Sequence, residues 1–413
     1  MRNHPSIFEW ELDNEIVYIN ARNRGQLKEV EPEFKKMAED VHRVDPTRPG
    51  INVAGGRALL DQSLPVNGGH YETANMREYP DMAYGLDEGW TGTSSKQPWP
   101  MALDKPIFLS EDHFLAGRPP GWFAQLGGER CFLGRTYTRE AAALSTRMLS
   151  EGYRWINLAA FHFWHGSQTT GGGHYVSWQP VAVLCREWNS TFASGATVTR
   201  TLKVFNDTHH DTPIEASWSL EFGGRRVAGE SRTFHTAPGE ADLWVVRFLA
   251  PETEDRMEGR FILSARRAVE QVFEDIKPAR VIDPDAAPKP RNANGDVVVW
   301  ERTGSVAERL HARGIKYRTV DAFADVPDDV DVLIVGPDVV SRPESTDLRW
   351  RQLAAGGAKI LVLDQRNPLH YQATSADFEV TNHVGRIAFS QDLTHPAFDG
   401  RGPDDFTFWS GDH

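Results

Sequence analysis

Short apolar runs alternate with helical stretches and with long loops that contain Gly and Pro, from residue 1 to about residue 190. The predicted strands are residues 6–12, 50–54, 64–67, 106–110 and 155–163, and the predicted helices are residues 31–44 and 138–151. Strands that alternate with helices are typical of βα units around a parallel sheet, whose strands are buried on both faces and need not alternate strictly. The first region is therefore predicted to be α/β.

Two of these predicted strands end in a glutamate. RNHPSIFEWELDNE ends at Glu15 and KPIFLSE ends at Glu111, which leaves room between them for about three βα units of roughly 30 residues each. Polar residues at the carboxyl ends of barrel strands face the active site. Retaining glycosidases need two carboxyl groups about 5–5.5 Å apart, one to attack the anomeric carbon and one to protonate the leaving group. Either motif alone is explained as well by a solvated strand end, whereas the pair favours catalysis.

The same motifs resemble a known family. NHPSIFEWELDNE is similar to the acid/base signature of glycoside hydrolase family 2, which contains β-galactosidases, β-glucuronidases and β-mannosidases, and KPIFLSE resembles its nucleophile strand. Residues 152–164 (GYRWINLAAFHFW) resemble the eighth strand of the wider clan. The resemblance covers roughly residues 1–190 and implies a partial (β/α)8 TIM barrel, strands four to eight.

The resemblance also implies the roles of single residues. Glu15 would be the acid/base, Glu111 the nucleophile and Asn14 the contact to the sugar 2-hydroxyl. Further candidate substrate-binding residues are Trp164 as a sugar platform, Tyr71 as a hydrogen-bond partner of the nucleophile, and His70, His162 and Asp112 as pocket lining. His162 and His165 flank Trp164, but they lack a carboxylate or thiol at ligand spacing, so no metal site is predicted.

Two departures from the family pattern matter. After the nucleophile the family has Tyr-Gly or Phe-Gly, but this chain has Asp112-His113-Phe114, which leaves the sugar specificity open. Strands one to three and the domains that precede them are missing from the chain, and half a barrel leaves open edges and exposed apolar surface. The chain is therefore expected to be a fragment, inactive or poorly folded alone, with any signal peptide upstream and its localisation unknown.

The second and third regions have different patterns of apolar and polar residues. Residues 193–285 alternate apolar and polar residues at 198–206, 214–222, 225–234, 241–249 and 260–268, which predicts an immunoglobulin-like β-sandwich. Residues 282–295 resemble a linker. Residues 286–413 return to an α/β pattern, with strands predicted at 296–300, 331–335 and 358–363 and helices at 305–313 and 348–355. This region resembles the flavodoxin-like, glutamine-amidotransferase-like domains of some β-galactosidases, but no cysteine lies in it, so a non-catalytic role is predicted.

Composition limits the remaining possibilities. The formal net charge is −13, which argues against nucleic acid as a main partner. The only cysteines, Cys131 and Cys185, cannot form a disulfide framework or a zinc cluster and are expected to be buried thiols. No apolar run is long enough for a membrane span. The predicted function is retaining β-glycoside hydrolysis, β-galactosidase-like, without a cofactor, on a carbohydrate substrate and with a possible homo-oligomer. The alternative is a non-catalytic carbohydrate-binding or scaffold remnant of such an enzyme.

Overall fold

A computed structural model of the chain describes residues 6–21, 23–53, 64–70, 105–112, 118–164, 173–283, 295–370, 373, 387–390, 392–398 and 400–408. The chain divides into two compact units, residues 1–286 together with 384–413, and residues 287–383. The three-domain division at residues 192 and 285 stays a prediction. Among the helices that the structure describes, none combines the length and the apolar composition that a membrane span requires.

The first unit opens with strands that pair in parallel. They are β1 (Trp10–Asn14), β2 (Gly50–Val53), β3 (Asn67–His70), β4 (Ile107–Asp112) and β5 (Ala160–Phe163). β1 pairs with β2, and β3, β4 and β5 pair in that order in a separate ladder. Parallel pairing in chain order is the arrangement that βα units produce. The assignment of this region to a (β/α)8 barrel stays a prediction.

Helices cover one face of these strands. They are α1 (Leu27–Val44), α2 (Pro120–Gly127), α3 (Arg135–Trp155) and the short α4 (His174–Ser177). Leu149 and Tyr153 of α3 are fully buried and share a core with Leu109 of β4. The prediction of a strand over residues 155–163 was wrong at its start, because burial of Tyr153 carries α3 on to Trp155, and β5 begins only at Ala160.

A β-sandwich completes the first unit. Its strands are β6 (Val181–Cys185), β7 (Thr191–Ala193), β8 (Thr197–Asn206), β9 (Ile214–Phe222), β10 (Arg225–Phe234), β11 (Glu240–Leu249), β12 (Arg256–Arg267) and β13 (Glu270–Ile282). One sheet has the order β10-β9-β12-β13-β7 and the other β11-β8-β6. The predicted bounds of β9 and β10 are confirmed. Both sheets contribute to one core, in which Trp218 and Phe261 contact Phe248.

The second unit is an α/β layer. It contains β14 (Val297–Trp300), α5 (Ser305–Ala312), β15 (Arg318–Val320), β16 (Val332–Val335), α6 (Arg349–Ala355) and β17 (Lys359–Val362). The strands are parallel in the order β15-β14-β16-β17, which is a doubly wound order, and Phe323 stacks on Trp350 in its core. The assignment to the flavodoxin kind stays a prediction, and most of the predicted linker, residues 284–294, lies outside the described residues.

Candidate active site

A tight turn at the end of β1 fixes the backbone of Glu15. Glu15 has φ 58°, in the left-handed region, which costs a residue with a side chain roughly 1–2 kcal/mol. The carboxylate of Asp13 accepts the N–H of Ile16 at 2.9 Å, and such a side-chain bond to the backbone favours a turn. The turn therefore ends the strand at Asn14, which is exposed, and places the half-buried Glu15 immediately beyond it.

One face of β1 packs against the helices that cover these strands, which we call the helix layer. Leu12 packs against Phe34 of α1 and Leu64, and the indole N–H of Trp10 donates to the carboxylate of Asp45 at 3.0 Å. Hydrogen bonds from Thr47, Trp10 and Arg48 hold the pKa of Asp45 well below its usual range, so this carboxylate stays ionised. These contacts fix the strand from which the turn at Glu15 projects.

A β-bulge in β4 decides which face of the sheet carries Glu111. Ile107 and Leu109 pack on the helix layer, whereas Phe108 packs with Ile51 and Val66. We call the side that carries Phe108 the Phe108 face. The ladder pairs Gly68 with Phe108 and His70 with Glu111, so that one extra residue, Ser110, lies in β4. Strand residues alternate between faces, and the extra residue shifts this alternation by one position. Glu111 therefore lies on the Phe108 face and not on the helix side.

The imidazole of His162 binds the backbone carbonyl at the bulge. The Nδ1 atom of His162 lies 3.1 Å from the carbonyl oxygen of Ser110, and because a carbonyl can only accept, Nδ1 carries the proton. The register pairs Phe108 with Ala160, which places His162 of β5 on the same face as Phe108. The structure thus brings His162 next to the backbone of Glu111.

One ring contact connects the start of β1 with β4. Phe8, two residues before β1 in the chain, meets Phe108 edge to face with ring centroids 6.2 Å apart. Phe8 is 63% exposed, so the Phe108 face is only partly covered by the described residues. The segment that leads into β1 therefore contacts β4 on this face.

Three of the remaining candidate residues lie in the described part of the chain, and one does not. Trp164 follows β5 directly and is half-buried, while His70 and Asp112 end β3 and β4, where only the backbone is described. The ladders place His70 opposite Glu111 and Asp112 opposite Phe163, so all three strands end at one edge. Tyr71 lies outside the described residues.

Sequence reasoning missed three residues that shape this region. Asp13 and Ser110 were passed over, and the Asp-Asn-Glu turn was a usable signal for Asp13. Glu9 was also missed. Its burial, together with the charge of Glu11, raises the pKa of Glu9 to about 7. A carboxyl group that titrates near neutral pH is a feature of functional regions, although structural networks produce it too, and Glu9 lies at the opposite end of β1 from Glu15.

The described residues contain neither a cluster of metal ligands nor a reactive thiol. In those ranges no group of three or more His, Cys, Asp or Glu side chains is arranged to hold a metal ion. Cys131 and Cys185 are buried free thiols, as predicted, and burial raises the pKa of both, that of Cys185 to about 12. Thiols with a raised pKa are poor nucleophiles at neutral pH.

Comparison with known proteins gives distant structural matches. No family model and no curated protein matches the chain. It is similar to an FMN-binding beta-glucuronidase from Facaelibacterium prausnitzii L2-6 at 16% identity and TM-score 0.28, over 68% of this chain and 42% of that chain. It is also similar to a Paenibacillus cycloisomaltooligosaccharide glucanotransferase complexed with cycloisomaltoheptaose, at 12% identity and TM-score 0.20, over 44% and 27% of the two chains.

A third match is Spo0M, a sporulation control protein from Bacillus subtilis, at 13% identity and TM-score 0.18, over 25% of this chain and 49% of that chain. The chain thus spans less than half the length of each of these three proteins. At these identities and TM-scores the matches carry no argument about activity, which has to come from the residues themselves.

Proposed function

We propose that this chain carries the acid/base and the nucleophile of a retaining β-glycoside hydrolase, on the carboxyl ends of strands from a (β/α)8 barrel. Glu15 is the acid/base and Glu111 the nucleophile. The observation that carries the proposal is the β-bulge at Ser110, which moves Glu111 away from the helix layer and onto the Phe108 face. A bulge at a strand end is a common device for re-aiming one side chain next to an active site.

Two further features support the pairing of the carboxylates. Phe8 leads into the strand that ends before Glu15, and its ring contacts Phe108 of the strand that carries Glu111. The backbone at Glu15 is held at a positive φ, a conformation that persists in a residue with a side chain only when its surroundings impose it. Strain of this kind concentrates at functional sites, where the position of a side chain matters more than its stability.

The proposed reaction is a double displacement. The carboxylate of Glu111 attacks the anomeric carbon as the glycosidic C–O bond breaks, and Glu15 gives its proton to the departing oxygen. Glu15 then takes a proton from water, whose oxygen attacks the same carbon, and the ester bond to Glu111 breaks. Asn14 is proposed to bind the 2-hydroxyl and Trp164 to pack on the sugar ring. His70, Tyr71 and Asp112 are proposed to line the pocket.

Mechanism-based labelling tests this proposal. The 413-residue chain is incubated with 2-deoxy-2-fluoro-β-glycosyl fluorides of galactose, glucuronic acid and mannose, and the labelled peptide is identified by mass spectrometry. We expect one covalent label, on Glu111, that is absent in Glu111→Gln, and such a label would overturn the expectation from the sequence that the chain is inactive alone. The Glu15→Gln variant should still label, because fluoride leaves without a proton, but should lose hydrolysis of unactivated β-glycosides. Label on any other residue would overturn the assignment, and the sugar that reacts identifies the specificity, proposed to be β-galactosidase-like.

A non-catalytic carbohydrate-binding role is the second candidate. The specific observation in its favour is that Phe8 on the Phe108 face remains 63% exposed, since an exposed aromatic ring suits the apolar face of a sugar. On this alternative, calorimetry detects sugar binding that Phe8→Ala weakens, and no fluoride reagent labels the chain. Retention of two glutamates at strand ends favours the hydrolase, because binding alone needs no such pair.

A further inference from the structure

A cavity lies within the first unit where α3, the β-sandwich and residues 404–408 meet. Its volume is about 260 Å³, and it is lined by Arg147 of α3, by the loop from Glu187 to Ser190, by strands of the sandwich and by Asp404, Thr407 and Phe408. A dry cavity of about 150 Å³ holds one benzene ring. This cavity therefore has room for one six-membered ring and a small substituent.

Aromatic rings form much of its wall. Trp188, Phe192, Phe261 and Phe408 all line the cavity, and the ring of Trp188 contacts that of Phe408 with centroids 5.6 Å apart. These rings give the cavity an apolar packing surface.

Four basic side chains line the same cavity, and three of them have carboxylate partners. Arg147 contacts Glu151 and Asp275, and Lys277 lies within 4 Å of the same two carboxylates. These two charges are neutralised from outside the cavity. Arg280 bonds to Asp404 at 2.6 Å.

Arg200 is the exception among the basic residues of the cavity. Its side chain donates to the carbonyl oxygens of Thr199 and Asn189 and to the amide oxygen of Asn189, all of which are neutral. No carboxylate lies within 4 Å of it among the described residues. Glu187, the nearby acid of the wall, accepts instead from the backbone N–H and the hydroxyl of Thr201. Arg200 is 6% exposed, so it is a buried guanidinium that faces a cavity without a counter-ion.

We infer that this cavity is a binding site for a small organic carboxylate with a ring, distinct from the proposed glycosidase site. The ligand's ring packs among Trp188, Phe192 and Phe408, and its carboxylate pairs with Arg200. Burying a charge is costly unless it is paired, and a ligand carboxylate supplies the counter-charge that Arg200 lacks among the described residues. A neutral ring of the same size gains the packing but not the ion pair, so the site discriminates by charge.

Calorimetric titration with two matched probes tests the inference. Benzoate and benzyl alcohol have the same ring and differ in charge. We expect the wild-type chain to bind benzoate more tightly than benzyl alcohol. Arg200→Met should weaken benzoate binding about 10- to 100-fold, the value of a hydrogen-bonded charged group, and leave benzyl alcohol nearly unchanged. Equal affinity of the two probes, benzoate binding unaffected by Arg200→Met, or no benzoate binding at millimolar concentration would overturn the inference.

A second variant keeps the test valid if Arg200→Met does not fold. Ile276 lies at the edge of the cavity and is 47% exposed, so Ile276→Trp is expected to obstruct the cavity and weaken both probes while Arg200 remains. The matched control is Val245→Trp, which places the same side chain at an exposed strand position outside the cavity wall. Probe binding that survives Ile276→Trp as well as it survives Val245→Trp would place the binding elsewhere and contradict the inference.

Discussion

His162 donates its Nδ1–H to the carbonyl oxygen of Ser110 at 3.1 Å, directly beside the bulge that turns Glu111 onto the Phe108 face. The side chain of His162 therefore holds the backbone at the bulge. The sequence predicts His162 as a substrate-binding residue, which stays a prediction, and from this contact we propose that His162 also positions Glu111. Both the neutral tautomer that carries Nδ1–H and the imidazolium can donate this bond.

We therefore predict that His162→Phe loosens β4 at Glu111. Hydrogen exchange of the Ser110 to Asp112 amides should become faster, because the bond that holds the bulge is lost. If the proposed reaction takes place, the rate of labelling of Glu111 should fall about 10- to 100-fold, since misplacement of a reacting group by about 1 Å has an effect of this size. His162→Asn, whose side-chain amide can donate, should retain part of the rate. A His162→Phe protein with unchanged exchange would argue against the positioning role.

The second prediction concerns the backbone at Glu15. Because φ is 58°, glycine fits this position better than any residue with a Cβ. Glu15→Gly and Glu15→Ala both remove the carboxylate, so their difference isolates the backbone strain. We expect Glu15→Gly to be more stable than Glu15→Ala by about 1 kcal/mol in urea unfolding. Equal stabilities would mean that the surroundings do not impose the left-handed conformation.

Elements with regular alternation could be predicted from the sequence. β9 alternates buried and exposed or half-buried side chains along its whole length, and its predicted bounds agree with the structure. β13 was missed because charged residues occupy several of its positions. Asp275 and Arg280 are buried there, and they are stabilised by residues distant in sequence, Arg147 and Asp404. No local sequence pattern indicates such long-range ion pairs. In the sequence, a strand with buried charged residues therefore resembles a surface segment.

The candidate site was predictable in its residues but not in its geometry. Glu15 and Glu111 were found because each ends an apolar run. The bulge at Ser110 depends on the register of β4 against β3 and β5, which are distant in sequence. Regular alternation from Phe108 would have placed Glu111 on the helix side of the sheet. Register is set by packing across strands, so a single-sequence pattern cannot reveal a one-residue insertion in the ladder.

The third prediction concerns the buried ion-pair cluster that joins α3 to β13. Arg147 contacts Glu151 at 2.8 Å, and both Glu151 and Asp275 are almost fully buried. Removal of one partner from a buried pair typically costs 3–5 kcal/mol, because the other charge is left uncompensated. Lys277 remains near both carboxylates and reduces this cost. We therefore expect Arg147→Met to lower the free energy of unfolding by about 3 kcal/mol.

A surface arginine provides the control for this measurement. Arg43 pairs with Asp40 at 2.6 Å, but the side chains are 74% and 51% exposed. Exposed pairs contribute about 0–1 kcal/mol, so Arg43→Met should have a small effect on urea unfolding. If both variants lose the same amount of stability, the cluster at Arg147 is not a structural ion-pair network.

The last prediction follows from Glu9, whose pKa is raised to about 7 by burial and by the charge of Glu11. In the unfolded chain this carboxyl titrates near 4.5. Between these two pH values the folded state binds more protons than the unfolded state, so the stability contributed by Glu9 falls as pH rises through this range and levels off above 7. Glu9→Gln cannot ionise, and its unfolding free energy should therefore decline less between pH 4.5 and 7 than that of the wild type. Above pH 7 the variant should be the more stable protein, and below pH 4.5 this advantage should disappear.

Thermal unfolding of both proteins across this range measures the difference, with Glu11→Gln as the control that removes only the smaller of the two causes. Parallel profiles for Glu9→Gln and the wild type would show that Glu9 titrates as it does in the unfolded chain.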